Sequence, residues 1–383
     1  MDEQTFLSRC RDIAPVLADC ADQGETIRRV PDQVYDAVVE ADLLAAVVPR
    51  SLGGHGLGLN ALCQGTRELA RGCPASAWSM SFLMLHAWMM TRFPPEGRDE
   101  FFAGGQLPRS AAPLAPTGRL TGTEGGYRVT GRWEWATSIA HSNWVMVHGF
   151  DETVEFGTRF AALPIEDVTI EDVWFTSGMR ATGSNTVVLD DVFVPESRTC
   201  TGTDIQQSGS GVEDDQLQLL PLASVLALTA SAPAVGAAEA GLDLYRERLT
   251  ERVLAYSLGD RAAEQPVAQS RLAEIMSDVT TMRSAWDAAI SRIEELSSVE
   301  APTDLARVEC RLAAAAAVRS SRQALGAIGE GAGASVYASS HPHQRLQRDV
   351  ETLKGHAIFD WDRTTELAGR VALGQALRLT DMA

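Results

Sequence analysis

Apolar positions recur at helical spacing from the start of the chain to about Gly105. In "VPDQVYDAVVEADLLAAVVP" they fall three and four apart, Pro31 suits a helix start, and Pro49 ends the run. From about Gln106 to Cys200 the period shortens towards two. "GGYRVTGRWEW", "NWVMVHGF" and "NTVVLDDVFVP" carry β-branched and aromatic residues, and Gly125-Gly126 supplies a turn. The Gly/Ser-rich "CTGTDIQQSGSGVEDD" then reads as a connection, after which helical periodicity returns and persists, as in "RLAAAAAVRSSRQAL". The expected units are a helical domain over 1–105, a β domain over 106–200, a linker over 201–215 and a helical bundle over 216–383. Helices, strands, then helices again is an α+β order rather than alternating βα units.

The longest apolar run, "LPLASVLALTASAPAVGAAEAGL" from Leu220, is built of small residues and interrupted by Pro233. It is expected to form a buried pair of helices rather than a membrane span. A formal net charge of −18 over 383 residues repels phosphate backbones and anionic lipid, so neither nucleic acid nor a membrane surface is an expected partner. Six scattered cysteines without a CxxC pair, and no basic, apolar leader at the start, point to free thiols in a reducing cytoplasm.

Several tempting motifs lack their context. "GEGAGA" (Gly329–Ala334) matches a dinucleotide fingerprint but follows an alanine-rich helix rather than a strand. A phosphate-binding loop needs a lysine after its glycines, and the only lysine, Lys354, lies elsewhere. His341-Pro-His343 is expected in a solvated loop rather than a metal site. Neither GxSxG nor HExxH occurs.

Four segments, in order, carry a resemblance. They are "VPRSLGGHGLG" (Val48–Gly58), "GRWEWATSIAHSNW" (Gly131–Trp144), "SGMRATGSNTVVLDDVFVP" (Ser177–Pro195) and "HQRLQRDVETLKGHAIFDWD" (His343–Asp362). Together they resemble the acyl-CoA dehydrogenase superfamily. That implies an N-terminal helical domain, a central β-barrel or sandwich and a C-terminal four-helix bundle. In many dehydrogenases of the superfamily a catalytic glutamate stands eight residues past an Arg-Asp pair; here Arg348-Asp349 is followed at that place by Ala357. His356 beside it, and "SAWSMSFLMLH" with Trp78 and His86, are similar instead to two-component flavin monooxygenases such as p-hydroxyphenylacetate hydroxylase oxygenase components and aromatic polyketide hydroxylases.

That branch implies roles for particular residues. His356 would accept the proton of a phenolic hydroxyl. His86 would donate to the oxygen adduct at flavin C4a. Thr137, with Ser138, would lie against the ring, its hydroxyl bonded to N5, and Trp78 and Trp135 would form aromatic walls. Arg180, Thr182 and Ser184 would approach the flavin or its phosphates, with Ala181 where the family more often has glycine. Gly331, Gly333 and Ser335 fall where a neighbouring subunit's backbone approaches the flavin.

The residues alone leave plainer readings open. His356 on a helix from about His343 could pair with Asp360, four residues on; His86 could be a hydrogen-bonded core residue; Trp133 and Trp135 could share one strand face. The resemblance further implies reduced FMN or FAD delivered by diffusion from a separate flavin reductase, oxygen as co-substrate, a small phenolic or polyketide-type substrate, and a homotetramer. N-oxygenation of an amine or amino sugar, an acyl-CoA dehydrogenase with a relocated base, and a flavin-free binding relative are the alternatives.

Overall fold

The computed structural model describes every residue except 208, 209, 256, 299, 379 and 383. Its first hundred residues form six helices: α1 (Glu3–Asp19), α2 (Ala21–Ile27), α3 (Asp32–Glu40), α4 (Leu59–Ala70), α5 (Pro74–Met90) and α6 (Pro95–Phe101). Pro31 caps α3 as expected, but the helix ends at Glu40. The apolar stretch up to Pro49 is a buried, turned segment, because Asp42 takes a left-handed conformation, φ 58°, that breaks the helix.

α5 has no polar face. Every residue from Pro74 to Met90 is buried, the mark of a helix enclosed on all sides. Pro74 starts it, since proline's missing N–H is no loss at the first helical position.

The strands are β1 (Ser110–Ala111), β2 (Gly118–Thr123), β3 (Gly126–Ala136), β4 (Trp144–Asp151), β5 (Thr158–Pro164), β6 (Thr169–Glu171), β7 (Asn185–Pro195) and β8 (Thr199–Thr201). They pair in the order β6-β7-β3-β2-β4-β5-β8, with β1 beside β4, in one mixed sheet. Leu120, Val129, Trp133, Val145, Ala161 and Val187 share a single core, so side chains from one sheet bury one another and the sheet wraps around them.

Within residues 201–215 lie the end of β8, the short helix α7 (Gly202–Gln207), and Asp215, whose buried carboxylate accepts from Trp88 Nε1 at 3.1 Å. The C-terminal helices are α8 (Leu222–Glu251), α9 (Pro266–Ser297), α10 (Asp304–Ala332), α11 (Pro342–Leu353) and α12 (Trp361–Ala372); α10 packs against the other four. The helix pair expected around Pro233 is one unbroken helix of 30 residues. An interior proline costs about 3 kcal/mol, and nearly continuous burial from Leu222 to Ala238 offsets it. That helix is long and apolar enough to cross a membrane, but 89% of its most apolar window lies inside the protein.

Candidate active site

Trp78, Phe82 and His86 stand four residues apart on α5 and so form one stripe. Their rings touch in sequence, Trp78 to Phe82 at 4.6 Å between centroids and Phe82 to His86 at 5.3 Å. At the other end of the row the His356 ring meets the Trp78 ring edge-on at 5.7 Å. The two histidines are therefore joined by an aromatic wall rather than by direct contact. Phe82 was not singled out from sequence, although its helical spacing from Trp78 placed it on the same stripe.

Their hydrogen bonds give the two imidazoles opposite polarity. His86 is 1% exposed, and its Nδ1 lies 2.7 Å from the Ser110 carbonyl oxygen. A carbonyl only accepts, so Nδ1 carries the proton and Nε2 the lone pair; that Nε2 is buried without a partner among the described residues. Burial lowers the pKa to about 4, the Ser110 hydrogen bond opposing it.

His356 is not on the helix from His343. α11 stops at Leu353, and His356 caps the short 3-10 turn that follows. Its Nδ1 accepts from the Ile358 N–H at 3.2 Å, so the neutral ring carries its proton on Nε2. Burial lowers its pKa to about 4, with the Arg311 charge adding to the effect. The expected Asp360 partner is otherwise engaged, since its carboxylate accepts from Arg363 N at 3.0 Å and caps α12. Extended backbone at His356 breaks the helical spacing that would bring the two together.

The turn from Trp135 to Ser138 owes its shape to a bulge. β3 shifts register against β7 between Trp133 and Ala136, and Trp135 takes φ 66°. Trp133 is consequently 0% exposed and donates from Nε1 to the His148 carbonyl, while Trp135 is 61% exposed. The two do not share a face. Ser138 is tied down by its amide to the Thr182 carbonyl at 3.0 Å and by its hydroxyl to the Ser79 carbonyl at 3.1 Å.

Three hydroxyls run inward from this turn. Thr137 Oγ1 is 2.9 Å from Ser184 Oγ, Ser184 Oγ is 2.8 Å from Thr182 Oγ1, and Thr182 donates to the Met179 carbonyl at 2.9 Å. Because the last partner is a carbonyl, each hydroxyl donates to the next. The Thr137 proton is spent and its oxygen is left as an acceptor.

The loop carrying Thr182 and Ser184 is held by α11. Asp349 accepts from Met179 N at 2.5 Å, and Arg348 Nη1 donates to the Ser177 carbonyl at 2.7 Å. A Cβ on Gly178 would lie 2.0 Å from the Arg348 carbonyl oxygen. Gly178→Ala is expected to lift the loop off α11 and cost about 1–3 kcal/mol or more, read from denaturant unfolding; unchanged stability would mean the contact is not tight. Ala181 is accommodated by a glycine on α2: a Cβ built on Gly24 would stand 3.0 Å from the Ala181 methyl.

Other expected residues lie apart. Arg180 turns away from the hydroxyls, donates from Nε to the Glu25 carbonyl at 3.0 Å, and lines a cleft of about 510 Å³ with Arg348 and Tyr337. Gly331, Gly333 and Ser335 cluster at the end of α10. There the Gly331 carbonyl accepts from Arg252 at 3.1 Å and Ser335 Oγ from Arg248 at 2.5 Å. His343 is not in a solvated loop; it lies buried in the first turn of α11, with neither ring nitrogen paired among the described residues. No group of three or more metal-binding side chains occurs among the described residues.

The turn fits a flavin. Thr137 offers an acceptor at the end of an ordered hydroxyl chain, Trp135 offers a bare aromatic face, and Nε2 of His86 is an orphaned buried polar atom.

Residues 2–100 match the family described as "Acyl-CoA dehydrogenase, N-terminal domain", and residues 228–361 match "Acyl-CoA dehydrogenase, C-terminal domain". The chain is 30% identical over 377 residues to a pigment production hydroxylase of Rhodococcus sp., covering 96% of each. It is 27% identical to the oxygenase component of p-hydroxyphenylacetate 3-hydroxylase from Acinetobacter baumannii, over 97% of this chain and 89% of that one. Among solved structures it superposes on XiaF from Streptomyces sp. in complex with FADH2 and glycerol, with a TM-score of 0.91, 28% identity, and coverage of 98% and 96%. Matches at both ends of the chain, together with full-length similarity to flavin hydroxylases, place this protein in the acyl-CoA dehydrogenase family.

Proposed function

We propose that the chain is the oxygenase component of a two-component flavin monooxygenase that hydroxylates a small phenolic substrate. The observation that carries this reading is the opposite polarity of the two imidazoles, an acceptor at His86 Nε2 and a donor at His356 Nε2, set at the two ends of an aromatic wall. The similarity to the p-hydroxyphenylacetate hydroxylase component supports a phenol, and the XiaF complex supports a reduced flavin. Reduced FMN or FAD comes by diffusion from a separate reductase.

When bound, reduced flavin supplies the electrons with which oxygen is activated; the chain's own residues do the rest. Thr137 Oγ1 accepts a hydrogen bond, as the N5–H of reduced flavin requires. Trp78 and Phe82 exclude water, which limits loss of activated oxygen to hydrogen peroxide. His86 Nε2 takes the phenolic proton, giving electron density to the ring carbon that reacts. His356 Nε2–H donates to the oxygen that is transferred.

This assigns the two histidines the reverse of the roles the resemblance implied, for a geometric reason: the Ser110 carbonyl leaves His86 no donor towards the site, and the Ile358 N–H occupies the lone pair of His356. A dehydrogenase base is disfavoured. Ala357 carries no carboxylate, Asp349 Oδ1 accepts from Met179 N under the loop that α11 holds, and Asp360 accepts from Arg363 N.

The test supplies reduced FMN or FAD from a reductase under ¹⁸O₂ and screens phenols for labelled product. Flavin oxidation with no label in any phenol would overturn the reading. Thr137→Val keeps the shape and removes the acceptor, so reduced flavin should bind about tenfold more weakly and oxidised flavin, which has no N5 proton, nearly as before. Anaerobic titration measures both; equal losses would mean that Thr137 does not sense N5.

A further inference from the structure

We infer that Arg311 is a positioning residue for His356, holding the imidazole in its donor tautomer through the peptide group between Ala357 and Ile358. Arg311 projects from α10, is 5% exposed, and spends its guanidinium entirely on backbone carbonyls. Nη2 donates to Ala357 O at 3.1 Å, Nε to Ile358 O at 3.1 Å, and Nη1 to Met382 O at 2.6 Å.

The first contact bears on the site. Ala357 O and Ile358 N belong to one planar trans peptide and point to opposite sides of it. The guanidinium grips the oxygen edge, and the nitrogen edge donates to His356 Nδ1 at 3.2 Å. Fixing one edge fixes the other, and a cation on the carbonyl strengthens the N–H as a donor. The tautomer of His356 thus follows from a residue whose own hydrogen bonds go to backbone carbonyls rather than to the ring.

The planar fork matters because it reaches successive carbonyls at once, which a lysine ammonium on its flexible stem does poorly. Its third prong holds the C-terminal segment, which has its own anchor. Arg370 pairs with Asp381 at 2.6 Å and donates to Ala376 O at 2.7 Å, and the Asp381 carboxylate also accepts from Arg378 N at 2.7 Å. The ring neighbours of His356 are Trp78 on α5 and Phe359 in its own turn. The charged groups acting on Arg311 are Asp360, Asp381 and Arg363.

The role of Arg311 rests on the donor reading of His356, but its test is independent of catalysis. In the flavin-free protein labelled with ¹⁵N-histidine, His356→Asn assigns the His356 signal among the seven histidines. The unsubstituted protein is expected to show the His356 proton on Nε2 only. Arg311→Lys keeps the charge and loses the fork, so the two tautomers should mix. Arg311→Gln should also raise the titration midpoint by roughly one pH unit. Asp381→Ala, which frees only the outer support, should give a smaller change of the same kind.

An unaltered tautomer and midpoint in Arg311→Gln would overturn the inference. Should that variant not fold, an unaltered tautomer in both Arg311→Lys and Asp381→Ala would do so. If His356→Asn hydroxylates phenols with undiminished yield per flavin oxidised, the donor reading fails, and the imidazole spectra still judge Arg311 separately.

Discussion

His86→Leu is expected to cut hydroxylated product by about 10²- to 10⁴-fold, the range lost with a general base, while reduced flavin is still oxidised and hydrogen peroxide appears in place of product. The Nε2 atom has no partner among the described residues, so a phenolic hydroxyl brought to it satisfies a buried lone pair and finds its proton acceptor in one contact. With a pKa of about 4 the free imidazole is a weak base. Transfer becomes feasible because the imidazolium and phenolate formed together stabilise each other in a site of low dielectric. Leucine is of similar volume and suits the apolar surroundings of α5, so the fold should survive; removing the unpaired Nε2 lifts a desolvation penalty of about 1–3 kcal/mol, and leaving the Ser110 carbonyl without its Nδ1–H donor costs a similar amount. The paired signature is therefore lost coupling with a melting temperature that moves little. An unchanged ratio of product to flavin oxidised would remove His86 from the proton path.

Acidification from pH 6.5 towards pH 4 should destabilise the protein steeply, through imidazoles that cannot charge while folded. His86, His343 and His356 each have a pKa lowered from 6.5 to about 4 by burial. The unfolded chain binds their protons below pH 6.5 and the folded chain does not, so each contributes a loss of about 1.4 kcal/mol per pH unit within that window. His141, His148 and His341 are shifted the same way.

Asp349 opposes them. Its carboxyl is raised to about 7, chiefly by burial, so its protonated form is favoured in the folded chain, and its contribution is present at low pH and lost as pH rises towards 7. Among the groups with the largest shifts, one carboxyl against three imidazoles leaves a net uptake of about two protons on unfolding near pH 5, and Glu294, also raised by burial, works on the side of Asp349. Denaturant titrations at several pH values give that slope directly. Stability that does not fall between pH 6.5 and 4.5 would mean that these imidazoles are hydrated or paired.

The candidate site was legible only in part. Trp78 and His86 came from the resemblance; that they share one stripe with Phe82, which was not singled out, follows from their spacing on the regular helix α5. The hydroxyls of Thr137, Thr182 and Ser184 came from a resemblance, and only their contact geometry shows which way the protons run. Asp360 was a wrong partner for His356 because spacing was counted along a helix that ends at Leu353. Trp135 was paired with Trp133 by strand period, and one bulge reversed it. Arg311 carried no signal, since its partners are carbonyls 46, 47 and 71 residues away along the chain.

Periodicity determined the order of helices, strands and helices, because it records which side of each element must leave water, and that demand is local. The loss of a carboxylate at Ala357 was likewise settled by residue identity alone. The polarity of the two imidazoles, the outward turn of Trp135 and the passage of α8 through Pro233 were decided by tertiary structure. Each depends on which distant carbonyl, N–H or apolar surface comes to meet the residue, and such encounters are made between segments whose separation along the chain leaves no trace in the pattern of either.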